Sequence, residues 1–262
     1  MDSMMMYGMR ITPGIAALLA LLLVLPRRAP GLRVVVYIGI FVVIRDAMTP
    51  TGLWSFGTEG FFWLRFIDSA PLLLGFAAGS TVLVAAMLFA EPQWRRRIEW
   101  LRLPPGRSTG ELSGSASGAL GAVGLAAGLA GAVLTAAPLL LIYSGVPVET
   151  RGGEVAAVLL PAIAATALLG NLYEELLFRG FLQDYLQKDL GMRPLRAAIT
   201  SGLAFGAGHS FLAVTVSSVG APLLLFATYE GILAGLIRMR WGLIPAVLSH
   251  GGAIFLLAGG LV

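Results

Sequence analysis

The sequence predicts an all-α protein, a polytopic transmembrane helix bundle of about eight spans with both termini outside. Three observations predict it. The 262 residues are 57% hydrophobic and only 12% charged, with a mean hydropathy of +0.85, whereas a soluble domain carries about 25% charged residues. Apolar runs near the ~20 residues that cross a bilayer recur along the chain. Gly is abundant, at 34 residues, which suits close helix packing in lipid. The absence of Cys excludes disulfides and Cys-ligated zinc. The formal charge of +4 is not a nucleic-acid signal, because Arg dominates the basic residues and clusters in short loops.

Spans are expected at 11–26, 33–49, 69–90, 118–143, 154–178, 196–218, 220–238 and 242–261. The first is followed by Arg27-Arg28, the reverse of a secretory signal, and reads as an uncleaved anchor. The second is the weakest. Its clean apolar core runs only from Val34 to Ile44, short enough for a re-entrant or tilted segment. The fourth carries Gly121, Gly124, Gly128 and Gly131 at helical spacing, and the pairs Gly202/Gly206 and Gly231/Gly235 are four apart. These glycines suit close packing better than substrate-dependent helix movement. The Pro/Gly/Ser-rich stretch Pro104–Ser117 reads as a linker. It divides residues 1–117, N-terminal spans plus a basic cytoplasmic linker, from a core at 118–262. No internal repeat is visible.

Orientation follows from Lys and Arg. With the N-terminus outside, thirteen of the 18 fall in cytoplasmic loops and four (Arg10, Arg45, Arg65 and Arg151) fall outside. Arg179 lies near the end of a span. The tryptophans agree: Trp54 and Trp63 flank one face, and Trp94, Trp100 and Trp241 the other.

Ionisable groups in hydrocarbon cost a few kcal/mol each and mark functional sites. The fifth span carries Asn171, Glu174, Glu175 and Arg179. Glu175 and Arg179 are i and i+4, so they share a helix face as an ion pair. Glu174 lies about 100° further round, with Asn171 and Phe178, free to point into the bundle. The sixth span carries Phe205 and His209, and the eighth carries His250, each His beside small residues. At about 1.5 Å per residue, Glu174 lies roughly 15 Å from the end of its helix near Asp184, His250 roughly 14 Å above Trp241, and His209 roughly 20 Å above Arg196. All three reach comparable depth. Glu230, midway along the seventh span, is either a third carboxylate of this site or a structural partner of a nearby hydroxyl or of Arg179.

One carboxylate and two imidazoles support two chemistries. A Glu and a His deprotonate a water while a second His stabilises an oxyanion. Alternatively, Glu174, His209 and His250 ligate a catalytic zinc. Spacing does not separate the two, because each ligand comes from a different helix and there is no HExxH.

The motif set EExxxR (Glu174, Glu175, Arg179), FxxxH (Phe205, His209) and a His in the final helix (His250) resembles the CPBP family. This is the CAAX protease and bacteriocin-processing (Abi) family of intramembrane endopeptidases. The resemblance covers residues 154–262. It implies a helical core whose site opens toward the cytoplasm. It also implies a location in the bacterial inner (plasma) membrane, and cleavage of a membrane-associated polypeptide, with membrane lipid and a membrane-bound protein or peptide substrate as partners and no nucleic acid. It implies a glutamic-type mechanism in which metal is not obligatory: Glu174 and His209 activate water, His250 helps form the oxyanion hole, and Glu175 with Arg179 braces the site. The family's last motif is HxxxN, and here Ile254 stands where the Asn is expected. Ser249, Asn171 or a water would then have to substitute, or the chain is a catalytically impaired member acting as a membrane scaffold or immunity factor. A proton- or cation-coupled transporter is a third reading, disfavoured by the lack of an inverted repeat.

Overall fold

The computed structural model describes residues 2–58, 62–102 and 114–262. The chain forms α1 (Ser3–Val24), α2 (Pro30–Met48), a hairpin of β1 (Trp54–Gly57) and β2 (Trp63–Phe66), α3 (Ala70–Ala90), a single turn α4 (Pro92–Arg95), α5 (Gly114–Tyr143), α6 (Leu160–Glu175), α7 (Pro194–Gly208), α8 (Ala221–Trp241) and α9 (Leu243–Ala258). The linker expected at Pro104–Ser117 lies outside the described residues except for its last four, which open α5.

Among the described residues, six helical runs are long and apolar enough to cross a membrane: Ser3–Val24, Ala70–Ala90, Gly121–Tyr143, Ala157–Asp189, Pro194–Val216 and Ala221–Trp241. The other two expected spans differ from these for physical reasons. The final helix α9 is apolar but only 16 residues long. The second, α2, is a continuous 19-residue helix that carries Arg33, Arg45 and Asp46. Its arginines are held by protein. Arg33 ion-pairs with buried Glu91, whose Oε1 also accepts from the Tyr37 hydroxyl at 3.1 Å, and it donates to Leu22 and Leu25 carbonyls at 2.7 and 2.8 Å.

Helix α7 packs on α8, α5 on α9, α3 on α6, α6 on α9 and α1 on α2. Small residues set the closest approaches. A Cβ at Gly202 would lie 2.6 Å from the Ile232 amide nitrogen, and one at Gly251 would lie 2.8 Å from the Ala167 carbonyl oxygen. The expected packing role of the glycines thus fits the α7–α8 and α6–α9 contacts. On α5, Gly124, Gly128 and Gly131 face α8 and α9, while Gly121 meets nothing.

The β-hairpin closes one end of the bundle, its strands paired antiparallel with Trp54 opposite Phe66. Arg65 on β2 donates to the Leu257 carbonyl at 2.8 Å and the Gly153 carbonyl at 3.3 Å. The buried cluster there joins Tyr7, Trp54, Phe62, Leu257 and Val262, so both chain termini and the hairpin share this end.

Candidate active site

Two adjacent residues of α6 face opposite ways. Glu174 turns toward α2 and the end of α7. One carboxylate oxygen ion-pairs with the Arg45 guanidinium, and the other, Oε2, lies 4.0 Å from His209 Nε2. His209 follows the last residue of α7, and its Nδ1 sits 2.9 Å from the Phe205 carbonyl oxygen. That oxygen only accepts, so Nδ1 carries a proton, and in the neutral form of the ring Nε2 is the lone pair that faces Glu174.

Glu175 turns the other way, toward α8 and α9. Its Oε1 accepts from Arg179 Nη1 at 2.7 Å and from His250 Nδ1 at 2.8 Å. Arg179 also donates to the Gly231 carbonyl at 2.8 Å and stands 4.5 Å over the Phe205 ring. His250 Nε2 faces Glu230 Oε2 at 3.5 Å. Arg179, Glu175, His250 and Glu230 therefore form one buried chain of charge across three helices. Immediately after Glu175 the helix widens into π turns, Leu176–Leu182 and Tyr185–Asp189, a distortion frequent at functional sites. Phe205 lies between the two imidazoles, its centroid 4.6 Å from His209 and 5.2 Å from His250.

A cavity of about 280 Å³ touches Glu174, His209, Glu230, His250, Asn171 and Ile254. The structure therefore brings Glu174, His209, His250 and Glu230 to one space, with Asn171 on its wall, while Glu175 and Arg179 stand behind His250. The far end of the cavity is aromatic, with Tyr7 of α1, Trp54, Phe56 and Phe62 of the hairpin region, Phe76 of α3 and Phe226 of α8. The lining thus reaches the hairpin end of the bundle. By the Lys/Arg count that end is outside, whereas the resemblance implies an opening toward the cytoplasm.

Two expectations change. Glu174 is not a free carboxylate, because Arg45 holds it. Sequence reasoning counted Arg45 as an outer-loop charge. The signal that would have found it is an Arg that directly follows the apolar run Val34–Ile44, one turn before the end of α2. Ser249 does not face the site: a Cβ at Gly131 of α5 would lie 2.5 Å from its hydroxyl. Asn171 does reach the cavity, but one of its amide hydrogens goes to the Ala167 carbonyl at 2.6 Å.

Among the described residues, no three His, Asp or Glu side chains gather as metal ligands. His250 has one ring nitrogen bonded to Glu175 and the other facing Glu230 at 3.5 Å.

No curated protein and no solved structure matches the chain. Residues 156–256 match the family model described as type II CAAX prenyl endopeptidase Rce1-like. The match contains Glu174, Glu175, Arg179, His209, Glu230 and His250, and leaves out Arg45. With its apolar helices, the match makes this an integral membrane protein. Over residues 156–256, less than half of its length, the chain is similar to the Rce1-like CAAX protease family.

Proposed function

We propose that the protein is an intramembrane endopeptidase that hydrolyses a peptide bond in a membrane-associated polypeptide with a water activated by Glu174 and His209, without obligate metal. One observation carries this reading. Glu174 Oε2 and His209 Nε2 are two lone-pair acceptors 4.0 Å apart on the wall of a cavity. Water donates two hydrogens about 105° apart, and at ~2.8 Å per bond it spans acceptors of roughly that separation. A water seated there has its own lone pair directed away from both, toward a peptide carbonyl in the cavity. As its oxygen attacks, one proton passes to Glu174 or His209 and then to the leaving amine nitrogen as the C–N bond breaks.

The oxyanion needs a donor. His250 Nδ1 donates to Glu175, and the reading requires one proton to be held by the pair His250 Nε2 and Glu230 Oε2, which face each other at 3.5 Å. That proton gives this wall of the cavity its donor, in the place where Ile254 supplies none. Glu175 and Arg179 fix the imidazole, in the way a buried carboxylate orients a catalytic His.

The test is comparative proteomics of membrane fractions. Cells with wild type are set against cells with Glu174→Ala, His209→Ala or His250→Ala, and uncut N- or C-termini are sought. If all three variants leave every terminus as in wild type, the reading fails. Ile254 on the cavity wall favours a second reading, a noncatalytic membrane scaffold or immunity factor. That reading predicts that Glu174→Gln complements a deletion strain fully.

A further inference from the structure

We propose that a second cavity, between β2 and the loop that precedes α6, binds the headgroup of a phospholipid that carries both a phosphate and a primary ammonium, with the phosphate on Arg65 and the ammonium on Asp68 and Glu154. The site contains none of Glu174, His209 and His250, and it stands apart from the endopeptidase reading.

The cavity is about 240 Å³ and is lined by Arg65, Asp68 and Glu154 together with apolar residues that include Leu159 and Ile163. Arg65 is only 7% exposed. Its Nη1 donates to the Leu64 and Leu257 carbonyls at 2.9 and 2.8 Å, and its Nε to the Gly153 carbonyl at 3.3 Å. These acceptors are all neutral. Its Nη2 is buried and has no hydrogen-bond partner among the described residues. Arg151, on the loop before α6, adds a second buried guanidinium. Its Nε donates to the Val146 carbonyl at 3.1 Å, it lies 4.7 Å over the Tyr143 ring, and its Nη1 is likewise without a partner among the described residues. Burial and the neighbouring Arg151 both act against the charge of Arg65 and hold its guanidinium below the ordinary value. Two like charges out of water, each resting on neutral acceptors, make a place that an anion stabilises. A guanidinium with free N–H groups suits the oxygens of a phosphate.

The same cavity also carries the opposite sign. Asp68 and Glu154 are exposed, and the hydrogen bonds of Arg65 go to backbone carbonyls. Guanidinium and carboxylates therefore line one cavity without neutralising each other. A simple anion would satisfy Arg65 and be repelled by the two carboxylates, whereas a zwitterion of phosphate and ammonium satisfies both. Position names the source as lipid. The cavity lies at the hairpin end of the bundle, beside Trp63 and Trp54, the residue type of a membrane–water interface. Val158, next to Leu159, is 81% exposed and gives the acyl chains behind a seated headgroup an apolar surface. A headgroup here would reinforce the tie that Arg65 makes between β2, the loop at Gly153 and the end of α9 at Leu257.

The experiment uses the full-length protein in detergent and three dioctanoyl phospholipids that differ only in headgroup: ethanolamine, choline and glycerol. Binding is read by native mass spectrometry. The ethanolamine lipid is expected to bind about tenfold more tightly than the choline lipid, the effect of one charged hydrogen bond. The two have the same net charge, so the comparison isolates the N–H donors of the ammonium. Asp68→Asn combined with Glu154→Gln, both at exposed positions, abolishes that preference and leaves the glycerol lipid bound at least as tightly as before. Arg65→Gln weakens all three lipids, and Arg65→Lys, which keeps the charge, retains part of the binding with an unchanged size-exclusion profile. Free phosphoethanolamine binds more weakly than the lipid. Equal affinity of the ethanolamine and choline lipids for wild type, a preference that survives the Asp68 and Glu154 substitutions, or full lipid binding by Arg65→Gln overturns the proposal. Free phosphoethanolamine bound as tightly as the lipid overturns the lipid as its source.

Discussion

Two charged clusters share the long helix Ala157–Asp189, about 15 Å apart. At its end, buried Asp184 meets Lys188 at 2.6 Å, Arg238 at 3.4 Å and Arg97 at 3.7 Å. Arg97 also pairs with Asp189 at 2.7 Å, and that hydrogen bond holds its guanidinium above the ordinary value. In mid-helix, Glu174, Glu175 and Glu230 meet Arg45, Arg179 and two imidazoles. The inventories are alike but the settings differ. The Lys188 and Arg97 side chains are 38% and 39% exposed, so water shares the task of stabilising the Asp184 cluster, and none of its residues lines the central cavity. The central cluster has almost no water contact yet borders a cavity, with the lone pairs of Glu174 and His209 turned into it. Buried charge alone therefore marks a clasp as readily as a site. What separates them is open lone pairs beside empty volume.

The widest separation is expected in turnover. Glu174→Gln or His209→Ala should slow cleavage of a membrane peptide by about 10³-fold, within the range of general acid–base catalysis. Lys188→Ala in the clasp should leave the rate within a few-fold. Equal losses would erase the distinction.

Stability comes next. Arg179→Met strands Glu175 beside His250 in a fully buried position and should cost about 3–5 kcal/mol. Lys188→Ala, at the wet end, should cost less than about 1 kcal/mol. Thermal unfolding in one detergent reads both.

A gain of function sharpens the role of His250 and Glu230. Ile254 lines the cavity, so Ile254→Asn adds a donor near the developing oxyanion. Its kcat should rise by up to about tenfold, a fraction of the 10²–10³ that loss of such a donor costs. An unchanged or lower kcat would mean that the His250–Glu230 edge already meets the need.

The mildest perturbation tests which side the cavity faces. The chain has no Cys, so Ser80→Cys, on the cavity wall of α3, gives a single labelling site. Membrane-impermeant maleimide should reach it in intact cells, as the Lys/Arg count requires. Labelling only after the membrane is opened would reverse the orientation and restore the cytoplasmic mouth.

The three-helix convergence was legible in the sequence because depth is a one-dimensional quantity. Residue counts from the loops place Glu174, His209 and His250 at one level, and helix periodicity separates Glu174 from the Glu175–Arg179 face. Azimuth was not legible. Nothing local says that Ser249 turns to α5 while its neighbour His250 turns to the site, or that Glu230 points at His250 rather than at a hydroxyl. Arg45 was missed for the same reason: its partner is far away in the chain, and charge counting treats every Arg near a span end as solvated. The hairpin was invisible too. Trp54 and Trp63 read as interfacial anchors, and pairing of two four-residue strands leaves too little pattern to detect. Six of the eight expected spans combine helix length with full apolarity among the described residues, and the other two separate these properties. Helix α2 has length without full apolarity, and α9 the reverse.

The central claim is that Glu174 and His209 act on one water. A double-mutant cycle on kcat tests it most directly, with wild type, Glu174→Gln, His209→Ala and the pair assayed on one peptide in nanodiscs. If both side chains hold the same molecule, removing either disables it, and the double variant is no slower than the slower single. Losses that multiply, or a single variant with full activity, would contradict the account.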